Sequence, residues 1–352
     1  MAAESAYAAA GVDIVAGERA VELMKASVAA SHRPEVLGGL GGFAGFFDAS
    51  AFARYRRPVL ATSTDGVGTK VAIARAMGVY DTIGWDLVGM LVDDLVVTGA
   101  EPLFVTDYIA CGKVHPERIA AIVSGIAAAC TAAGAALLGG ETAEHPGLLG
   151  PDEFDVAGAT TGVVEYDEIL GADRVRPGDV VLALASSGLH SNGFSLVRHV
   201  LAEAGWTLDR DVPELGTTLG AALLTPTRVY AKDLLAIIAA APVHSISHIT
   251  GGGLANNLVR VLPDGVVADL DRATWTPPAI FGLVQQLGGV SQPDIEATLN
   301  QGVGMALVLP EGSVAAAQEV ATGAGIASWV AGTVRAEPGR PARVELHGEH
   351  PR

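Results

Sequence analysis

The sequence predicts an α/β protein, of the α+β-like kind, built from two mixed α/β domains. The chain has 352 residues, a length that suits two domains. Half of its residues are hydrophobic and 17% are charged, so each domain can bury a core. Apolar runs alternate with helical patterns on both sides of RVRPGDVV (174–181), where a Pro-Gly turn precedes a new strand. We therefore expect domains at 1–172 and 173–352, with helices segregated onto one face of each sheet.

The first half is expected to begin with a helix over 17–30, followed by a glycine-rich loop. Five of the eight residues at 38–45 are glycine, which suits neither a stable helix nor a packed strand. We therefore expect a loop that is mobile or lies against something. The predicted strands that follow are 58–64, 102–110, 135–139 and 155–166. The predicted helices are 68–77, 82–98 and 115–133, the last with Pro116 in its first turn.

The second half repeats the alternation of strands and helices. Its predicted strands are 179–185, 243–248, 303–309, 327–335 and 342–346. Its predicted helices are 192–204, 226–240, 252–262 and 313–323. The tail HGEHPR is expected to fray because chain termini are often poorly ordered.

The charge of the chain limits its partners. With a formal net charge of −17, the protein is a poor candidate for binding nucleic acid or an anionic membrane surface, which both select Lys and Arg. We expect neither partner. A phosphorylated small molecule remains compatible if metal ions, backbone N–H groups or a few placed cations assist its binding.

Other features favour a cytoplasmic protein. The two cysteines, Cys111 and Cys130, lie in apolar stretches without metal-site spacing, so we interpret them as free thiols in a reducing compartment. The N-terminus has no basic region followed by an apolar core, and so no signal peptide is expected. No apolar run of about 18 residues predicts a membrane span.

The stretch TSTDGVGTK (62–70) places polar residues where a predicted strand ends. Asp65 lies at the turn, and Gly66 and Gly68 let the backbone approach a ligand. Thr69 and Lys70 enter the next helix. A carboxylate beside exposed backbone N–H groups suits a metal–phosphate complex, although an ordinary strand–helix turn is the alternative. Neither common nucleotide-binding loop is present: G-x-x-x-x-G-K-[ST] is absent, and GGLGGFAG does not follow a strand.

Two further acidic elements belong to the same half. Asp93 and Asp94 are adjacent in a strongly apolar helix, so at least one should face a polar site, unless both lie on a solvated face. Glu141 follows a strand end and two glycines, where a surface loop is the alternative. We expect Asp65, Asp94 and Glu141 to converge at about 5 Å from one another, where Mg²⁺ would turn their repulsion into coordination.

The second half contains two glycine-rich strand–helix junctions. In SSGLHSNGFSL (186–196), Ser187, Gly188, Ser191 and Asn192 offer small donors that suit an anion. His190 lies among them, and a structural role is its alternative. SHITGGGLANN (247–257) repeats the arrangement with three glycines.

Nine motifs in register, from about residue 7 to about residue 335, resemble the phosphoribosylformylglycinamidine cyclo-ligase family. They are GVDI, RPEVLGGLGGF, STDGVGTK, DDLVVTGAEPLF, GGETAE, SSGLHSNGFSLVR, LTPTRVY, SHITGGG and NQGVGM.

The resemblance implies an enzyme of purine biosynthesis that uses ATP to close an imidazole ring. It implies that first-domain sheets pair across a homodimer into a β-barrel, with an α/β sandwich as the second domain. It implies a need for Mg²⁺ and, in many members, K⁺.

The resemblance also implies roles for particular residues. The glycine-rich loop, with Gly38, Gly39, Gly41 and Gly42, would close over the ATP phosphates with help from Gly66, Gly68, Thr69 and Lys70. Asp65, Asp94 and Glu141 would bind Mg²⁺–ATP. His190, Ser191 and Asn192 would bind the ribonucleotide or assist proton transfer, alongside Ser187. Thr250, Gly251 and Gly252 would complete the second-domain wall. Lys70 and His190 are the predicted catalytic residues.

The chain departs from the family pattern at two places. Members commonly carry Asn-Asp where this chain has Asp93 and Asp94, and we expect the extra carboxylate of Asp93 to face solvent. The Lys-rich stretch before RPEV is reduced here to VAASH, so a ligand role for a lysine there is lost.

Three alternatives stay open. A selenophosphate synthetase would need a cysteine or selenocysteine in its N-terminal loop, whereas the first cysteine here is Cys111. A thiamine-monophosphate kinase would lack HSNGFSL at this spacing from TPTRVY. A non-catalytic ATP-binding protein on the same fold would be favoured by loss of the acids or the glycine-rich loop, and both are intact.

Overall fold

The structure is a computed structural model that describes residues 13–39 and 41–351. The predicted GVDI motif begins outside the described residues. By contacts, the chain forms two compact units. Among the described residues, the first comprises 13–39, 41–95 and 102–165, and the second comprises 96–101 and 166–351.

The first unit is built on a four-stranded sheet and a separate two-stranded pair. The strands of this unit are β1 (Val36–Leu37), β2 (Phe46–Phe47), β3 (Pro58–Gly66), β4 (Glu101–Cys111), β5 (Ala136–Glu144) and β6 (Phe154–Glu165). Its helices are α1 (Ile14–Ser31), α2 (Val71–Met77), α3 (Thr82–Val96) and α4 (Pro116–Ala133). The main sheet has the order β3-β6-β4-β5, with β3 antiparallel to β6 and β4 parallel to β5. The short β1–β2 pair closes the base of the glycine-rich loop.

Burial alternates along the strands of this sheet, because one face is covered by helices. On β4, Val105 and Ile109 are fully buried, whereas Tyr108 is 42% exposed. Helices α1 and α4 pack on each other and on β5. Gly158 of β6 lies against Leu87 and Leu91 of α3, since an added Cβ there would be 2.9 Å from Leu91. The apolar core therefore lies between this face and the helices.

The second unit is built on a six-stranded sheet and a separate two-stranded pair, β8 and β9. The strands of this unit are β7 (Val180–Ala185), β8 (Asp211–Val212), β9 (Thr217–Thr218), β10 (Ser245–His248), β11 (Val266–Asp271), β12 (Val303–Leu309), β13 (Ser328–Ala336) and β14 (Arg343–His347). Its helices are α5 (Phe194–Glu203), α6 (Leu219–Leu223), α7 (Ala231–Ala240), α8 (Gly253–Leu258), α9 (Ala279–Gly288), α10 (Gln292–Glu296) and α11 (Val314–Gly323). The order of the main sheet is β10-β12-β7-β13-β11-β14, antiparallel except for β11 and β14.

Two neighbouring interior strands of this sheet, β12 and β7, are covered on both faces. Every residue of β12 is buried, and so is β7 from Val180 to Leu184. Strands buried on both sides read as continuous apolar runs, as VVLALA and VGMALVL do. The predicted mixed α/β character of the second domain is confirmed by these strands and their helices.

Most predicted elements are present with ends shifted by a few residues, but β11, α9 and the shorter β1, β2, β8, β9, α6 and α10 were not predicted. The tail also differs from the prediction, because the His350 ring packs against Trp275 with ring centroids 4.6 Å apart. Both cysteines are buried free thiols, as expected. Within the described ranges, no helix combines the length and apolarity that a membrane crossing requires.

Candidate functional site

Asp65 lies one residue before the end of β3, as the sequence predicts. Its Oδ1 accepts a hydrogen bond of 2.7 Å from the N–H of Gly66, which fixes the carboxylate at the turn. Gly68 then begins a 3₁₀ turn with φ of +72°, a conformation that favours glycine. Thr69 is exposed beside it. The junction thus presents a carboxylate and a hydroxyl next to flexible backbone.

Lys70 does not lie where the sequence places it. Its side chain is fully buried, and Nζ lies 2.8 Å from Oδ1 of Asp86, which is equally buried. Burial lowers the pKa of Lys70, and the Asp86 carboxylate acts in the opposite direction. In this arrangement the ammonium of Lys70 is not exposed, and it ties the β3–α2 junction to α3. The catalytic and phosphate-binding role expected of Lys70 stays a prediction.

The two adjacent acids of α3 face opposite environments. Asp93 is fully buried, whereas Asp94 is exposed. The expectation that Asp93 faces solvent is therefore wrong. Helical geometry explains the outcome, because Asp93 is seven residues from buried Asp86 and shares its face. Asp94, about 100° round the helix, is exposed.

Glu141 is exposed on β5, but it is not close to Asp65 within one chain. Strands β3 and β5 form opposite edges of the sheet, three inter-strand steps apart. At about 4.8 Å per step, roughly 14 Å separates the two strands. The predicted convergence of the three acids within one chain is therefore wrong. Metal binding by each acid stays a prediction.

Among residues 13–39 and 41–351, three potential metal-ligand atoms lie within 4.8 Å of one another only at Asp269, Glu345 and His347. This cluster lies in the second unit. Arg335 already pairs with it, since its Nε lies 2.5 Å from Asp269. The cluster is best described as part of a surface ion network.

The glycine-rich loop is the tip of the β1–β2 pair, and its described residues are exposed. Gly38 and Gly41 have φ of +86° and +107°, which other residues rarely adopt. Leu40 lies outside the described residues. Gly41, Gly42 and Phe43 line a cavity of about 420 Å³ in the first unit.

Sequence reasoning missed one residue of that cavity, Asp107. It lies on the covered face of β4 and is 9% exposed, beside Gly140 of β5. Burial raises the pKa of the Asp107 carboxyl to about 7. The feature of the sequence that could have indicated Asp107 is an acid at a position of β4 that strand alternation assigns to the core.

In the second unit, the loop after β7 is held rigidly by its own side chains. Ser187 Oγ donates to the carbonyl of Pro226 at 2.7 Å and accepts from the N–H of Arg228 at 3.1 Å. Its hydroxyl therefore fixes the loop to the TPTR segment. Asn300 Nδ2 donates to the carbonyl of Gly188 at 2.9 Å. The substrate-binding role predicted for Ser187 stays a prediction, and any such contact would have to compete with these bonds.

His190 is almost fully buried and has a left-handed backbone, with φ of +59°. Such strain in a residue other than glycine is common at functional sites. The N–H of Ser187 donates to His190 Nε2 at 3.2 Å, so that nitrogen carries no proton. Gly304 makes room for the ring, because a Cβ there would lie 3.1 Å from His190 Cε1. In this arrangement, Nε2 of His190 is not a proton donor.

The loop TGGG lies beside the loop of His190. A Cβ added to Gly251 would be 3.4 Å from Oδ1 of Asn192, so the two loops are neighbours. Gly252 and Gly253 have φ of +101° and +71°. The structure thus brings Asn192 next to the Gly251–Gly252 backbone. The substrate-binding role expected of these residues stays a prediction.

Asn257, which sequence reasoning missed, organises the TGGG loop. Its buried amide donates to the carbonyls of Thr250, Gly251 and Gly253 at 3.3, 3.2 and 2.9 Å. Thr250 Oγ1 donates to Asn257 Oδ1 at 3.3 Å. The Thr250 hydroxyl therefore supports the loop from within. The feature of the sequence that could have indicated Asn257 is ANN (255–257), one turn into the helix that follows the loop.

Two family models match the chain. AIR synthase related protein, N-terminal domain, matches residues 48–164, and AIR synthase related protein, C-terminal domain, matches residues 176–344. Phosphoribosylformylglycinamidine cyclo-ligase of Shouchella clausii (strain KSM-K16) is 52% identical over 308 residues, which are 87% of this chain and 89% of that protein. The enzyme of that name from Anaeromyxobacter sp. (strain Fw109-5) is 50% identical over 334 residues, 95% of this chain and 96% of that protein.

Solved structures with the same fold are more distant in sequence. Thiamine-monophosphate kinase from Stenotrophomonas maltophilia K279a has a TM-score of 0.68 at 18% identity, covering 95% of this chain and 97% of that one. Hydrogenase maturation protein HypE in complex with ATP has a TM-score of 0.62 at 20% identity, covering 95% and 93%. At these identities the likeness shows the fold alone.

Two mixed α/β units with these matches place the chain among the AIR synthase related proteins. Within that class, relatives near 50% identity over most of both chains carry one name. The chain belongs to the phosphoribosylformylglycinamidine cyclo-ligase family. The resemblance found in its motifs is thereby confirmed.

Proposed function

We propose that this protein catalyses the ATP-dependent cyclisation of formylglycinamidine ribonucleotide to 5-aminoimidazole ribonucleotide, with release of ADP and phosphate. The observation that carries the proposal is 50% identity over 334 residues to an enzyme of that name. The two family models, which together match most of the chain, also support it.

The chemistry explains why no nucleophilic side chain is needed. The oxygen of the substrate's amide is a poor leaving group. Transfer of the γ-phosphoryl of ATP to this oxygen forms an iminophosphate and releases ADP. The amidine nitrogen then attacks the amide carbon, phosphate leaves and the ring closes. The protein must position two phosphorylated ligands and stabilise developing charge.

In the second unit, backbone groups suit the phosphate of the ribonucleotide. Asn192 and the Gly251–Gly252 backbone are neighbours, and Asn257 holds three of the loop carbonyls. With carbonyls engaged inward, the loop can turn N–H groups toward an anion at no cost in net charge. His190, held on Ser187 and Gly304, then acts by position and hydrogen bonding.

In the first unit, the acids suit Mg²⁺. Asp65, Asp94 and Glu141 offer hard carboxylate oxygens at partly or fully exposed positions, which is the donor type that Mg²⁺ prefers. When bound, Mg²⁺ neutralises charge on the phosphate chain. Because Asp65 and Glu141 lie at opposite edges of the sheet, they serve separate ions or act with a second copy of the chain. A requirement for K⁺ stays a prediction, tested by exchanging K⁺ for Na⁺.

The uncovered face of the first-unit sheet supports a homodimer. Leu60 is 60% exposed, and Thr62 and Thr64 follow it on the same face of β3, opposite Thr161 and Ala159 of β6. These five residues are uncharged and most of them are small, as is expected of a sheet face that packs against another sheet. We expect Leu60→Arg to lower the mass measured by light scattering from dimer to monomer. An unchanged dimer would remove the sheet face from the interface.

The decisive assay measures ADP and aminoimidazole ribonucleotide with ATP, Mg²⁺ and substrate, each omitted in turn. The proposal requires ADP and the imidazole product together, and only when all three components are present. ADP without that product would instead favour a phosphotransferase of the same superfamily. Failure to turn over at all, with ATP still bound, would favour a non-catalytic ATP-binding protein.

A further inference from the structure

The segment 348–351, which follows β14, packs against the second unit through His350. It lies beyond residues 176–344, the range that the C-terminal family model matches. The imidazole of His350 meets the ring of Trp275 edge-on, with ring centroids 4.6 Å apart and planes at 72°. His350 Nδ1 lies 3.1 Å from the carbonyl oxygen of Arg272 and 3.2 Å from that of Trp275. Because both neighbours are acceptors, Nδ1 carries a proton and donates to them.

Trp275 connects this segment to the NQG turn, which we define as residues 300–302. The indole is 7% exposed, and its Nε1 donates to the carbonyl of Gln301 at 3.0 Å. The same ring stacks on Trp329 of β13, with ring centroids 6.1 Å apart. The position of the Trp275 ring therefore sets the position of the Gln301 carbonyl.

The NQG turn in turn holds the loop after β7. Asn300 Nδ2 donates to the carbonyl of Gly188 at 2.9 Å, and Asn300 Oδ1 accepts from Ser186 Oγ at 3.2 Å. The N–H of Ser186 donates to the carbonyl of Gly302 at 2.9 Å. Three hydrogen bonds thus join the NQG turn to the residues that lead into His190.

These contacts link the two strained positions of the described chain. Among residues 13–39 and 41–351, His190 and Gln301 are the two residues other than glycine with a positive φ, at +59° and +52°. Such conformations persist only where the surrounding structure fixes them, and they cluster at functional sites. The contact of His350 with Trp275 belongs to the structure that fixes Gln301.

A second set of contacts runs from the same part of the chain to the TGGG loop. Arg272 Nη1 donates to the carbonyls of Leu346 and Gly348 at 2.7 and 3.3 Å. Its Nε and Nη2 bind the two carboxylate oxygens of Glu296 at 2.6 and 2.8 Å. The carbonyl of Glu296 packs against Gly253, where an added Cβ would lie 1.7 Å from it. Both glycine-rich junctions of the second unit are therefore braced from the side of the segment 348–351.

We propose that His350 is a positioning residue for the ribonucleotide. Packed on Trp275, it holds the NQG turn, and through that turn the loop of His190, in the shape that binds this ligand. His350 acts through Trp275 and does not touch the ligand. The inference rests on the proposed function in taking the ribonucleotide as the ligand of these loops.

The test compares the full-length parent with His350→Ala, His350→Asn and His347→Ala. Asn keeps an N–H donor near the position of Nδ1 but removes the ring. His347 is the matched control, because it is an exposed histidine that lies against Asp269 rather than Trp275. The measurements are kcat and KM for the ribonucleotide and for ATP, and backbone hydrogen exchange of the ligand-free proteins by mass spectrometry.

We expect the KM for the ribonucleotide to rise roughly 2- to 10-fold in His350→Ala, as loss of one aromatic edge contact allows. The kcat and the KM for ATP should stay at the values of the parent. His350→Asn should recover part of the loss, and His347→Ala should match the parent. Exchange in His350→Ala should be faster at residues 186–190 and 300–302 but not within β7.

Unchanged KM and exchange in His350→Ala would overturn the inference. Faster exchange throughout the second unit, with both KM values raised, would also overturn it, since His350 would then only stabilise the fold. These outcomes are separable from the fate of the proposed function. If the parent forms no imidazole product, the cyclo-ligase is removed, and the exchange data still decide whether His350 positions the loops. Product formation with a KM independent of His350 would do the reverse.

Discussion

Under the proposed function, the two units would hold a phosphorylated ligand in different ways. The first unit uses side chains that carry charge: Asp65, Asp94 and Glu141 at its surface, and Lys70 with Asp86 beneath. The second unit uses neutral groups, with serine, asparagine and glycine backbone braced by Asn257. Charged ligands of a metal tolerate exposure, whereas backbone donors work only if the loop is rigid. We therefore expect mutations in the second unit to act through loop geometry and those in the first through charge.

The largest effect expected is that of Gly253→Ala in the second unit. A Cβ at this residue would lie 1.7 Å from the carbonyl oxygen of Glu296, and the backbone has φ of +71°. We expect a loss of about 3 kcal/mol or more in the free energy of unfolding, because neither backbone can yield. Thermal and urea unfolding measure it.

The matched control is Gly282→Ala, in helix α9 with nothing within 4 Å of the added Cβ. That change should stabilise by roughly 0.5–1 kcal/mol. Equal midpoints for the two variants would show that the TGGG loop is not rigid.

Next in size is Lys70→Met in the first unit. Removing the ammonium leaves the fully buried Asp86 carboxylate without its 2.8 Å partner, at a cost of roughly 3–5 kcal/mol. Urea unfolding of the single variant and of Lys70→Met/Asp86→Leu measures the coupling. Lys25→Met, which breaks an exposed pair with Glu22, should change stability little. A double variant no more stable than the single would contradict the pair.

A pH-dependent effect follows from Asp107. Its pKa is raised to about 7 in the folded protein, so the native state holds a proton that the unfolded chain releases near pH 4. This group's contribution to stability is therefore complete below about pH 4 and is lost as pH rises toward 7. Asp107→Asn should match the parent at pH 4 and exceed it at pH 8 by at most roughly 4 kcal/mol.

The measurement is urea unfolding of both proteins at half-unit steps of pH, with Asp209→Asn as the charge control. A constant difference across that range would mean that Asp107 is ionised in the native state throughout.

The smallest effect expected is that of Asn257→Ala. It removes the amide that donates to three carbonyls of the TGGG loop, so we expect about 1–3 kcal/mol of destabilisation. The KM for the ribonucleotide should rise more than kcat falls, because a looser loop weakens binding. Asn256→Ala, which loses one bond of an exposed amide to Gly252, is the control. Equal KM values for the two variants would assign the phosphate to another part of the unit.

Some parts of the fold were open to prediction and others were not. The β3 strand and the buried β7 and β12 have the apolar patterns that strands require, so they were found. The strand at 266–271, VVADLD, was missed because its acids break the apolar run. Only pairing with β13 and β14 makes it a strand, and pairing partners lie 60 or more residues away in sequence.

The same division applies to the site. Asp65 and the glycine-rich junctions were predicted because a strand end followed by glycine is a local signal. The burial of Lys70 was not predicted because Gly68 and Thr69 beside it are exposed, whereas its partner Asp86 is sixteen residues away on another helix. Asp107 was missed because an acid in a strand has no local sign of the cavity behind it.

The sequence by itself determined the family, the α/β class and the position of each glycine-rich junction, since these depend on short-range patterns and on motifs in register. Tertiary structure alone decided which charges are buried together, that Asp65 and Glu141 lie at opposite edges of one sheet, and that Asp107 faces a cavity. The physical reason is that burial and proximity arise from packing between distant segments, while turns and strand alternation arise from neighbouring residues.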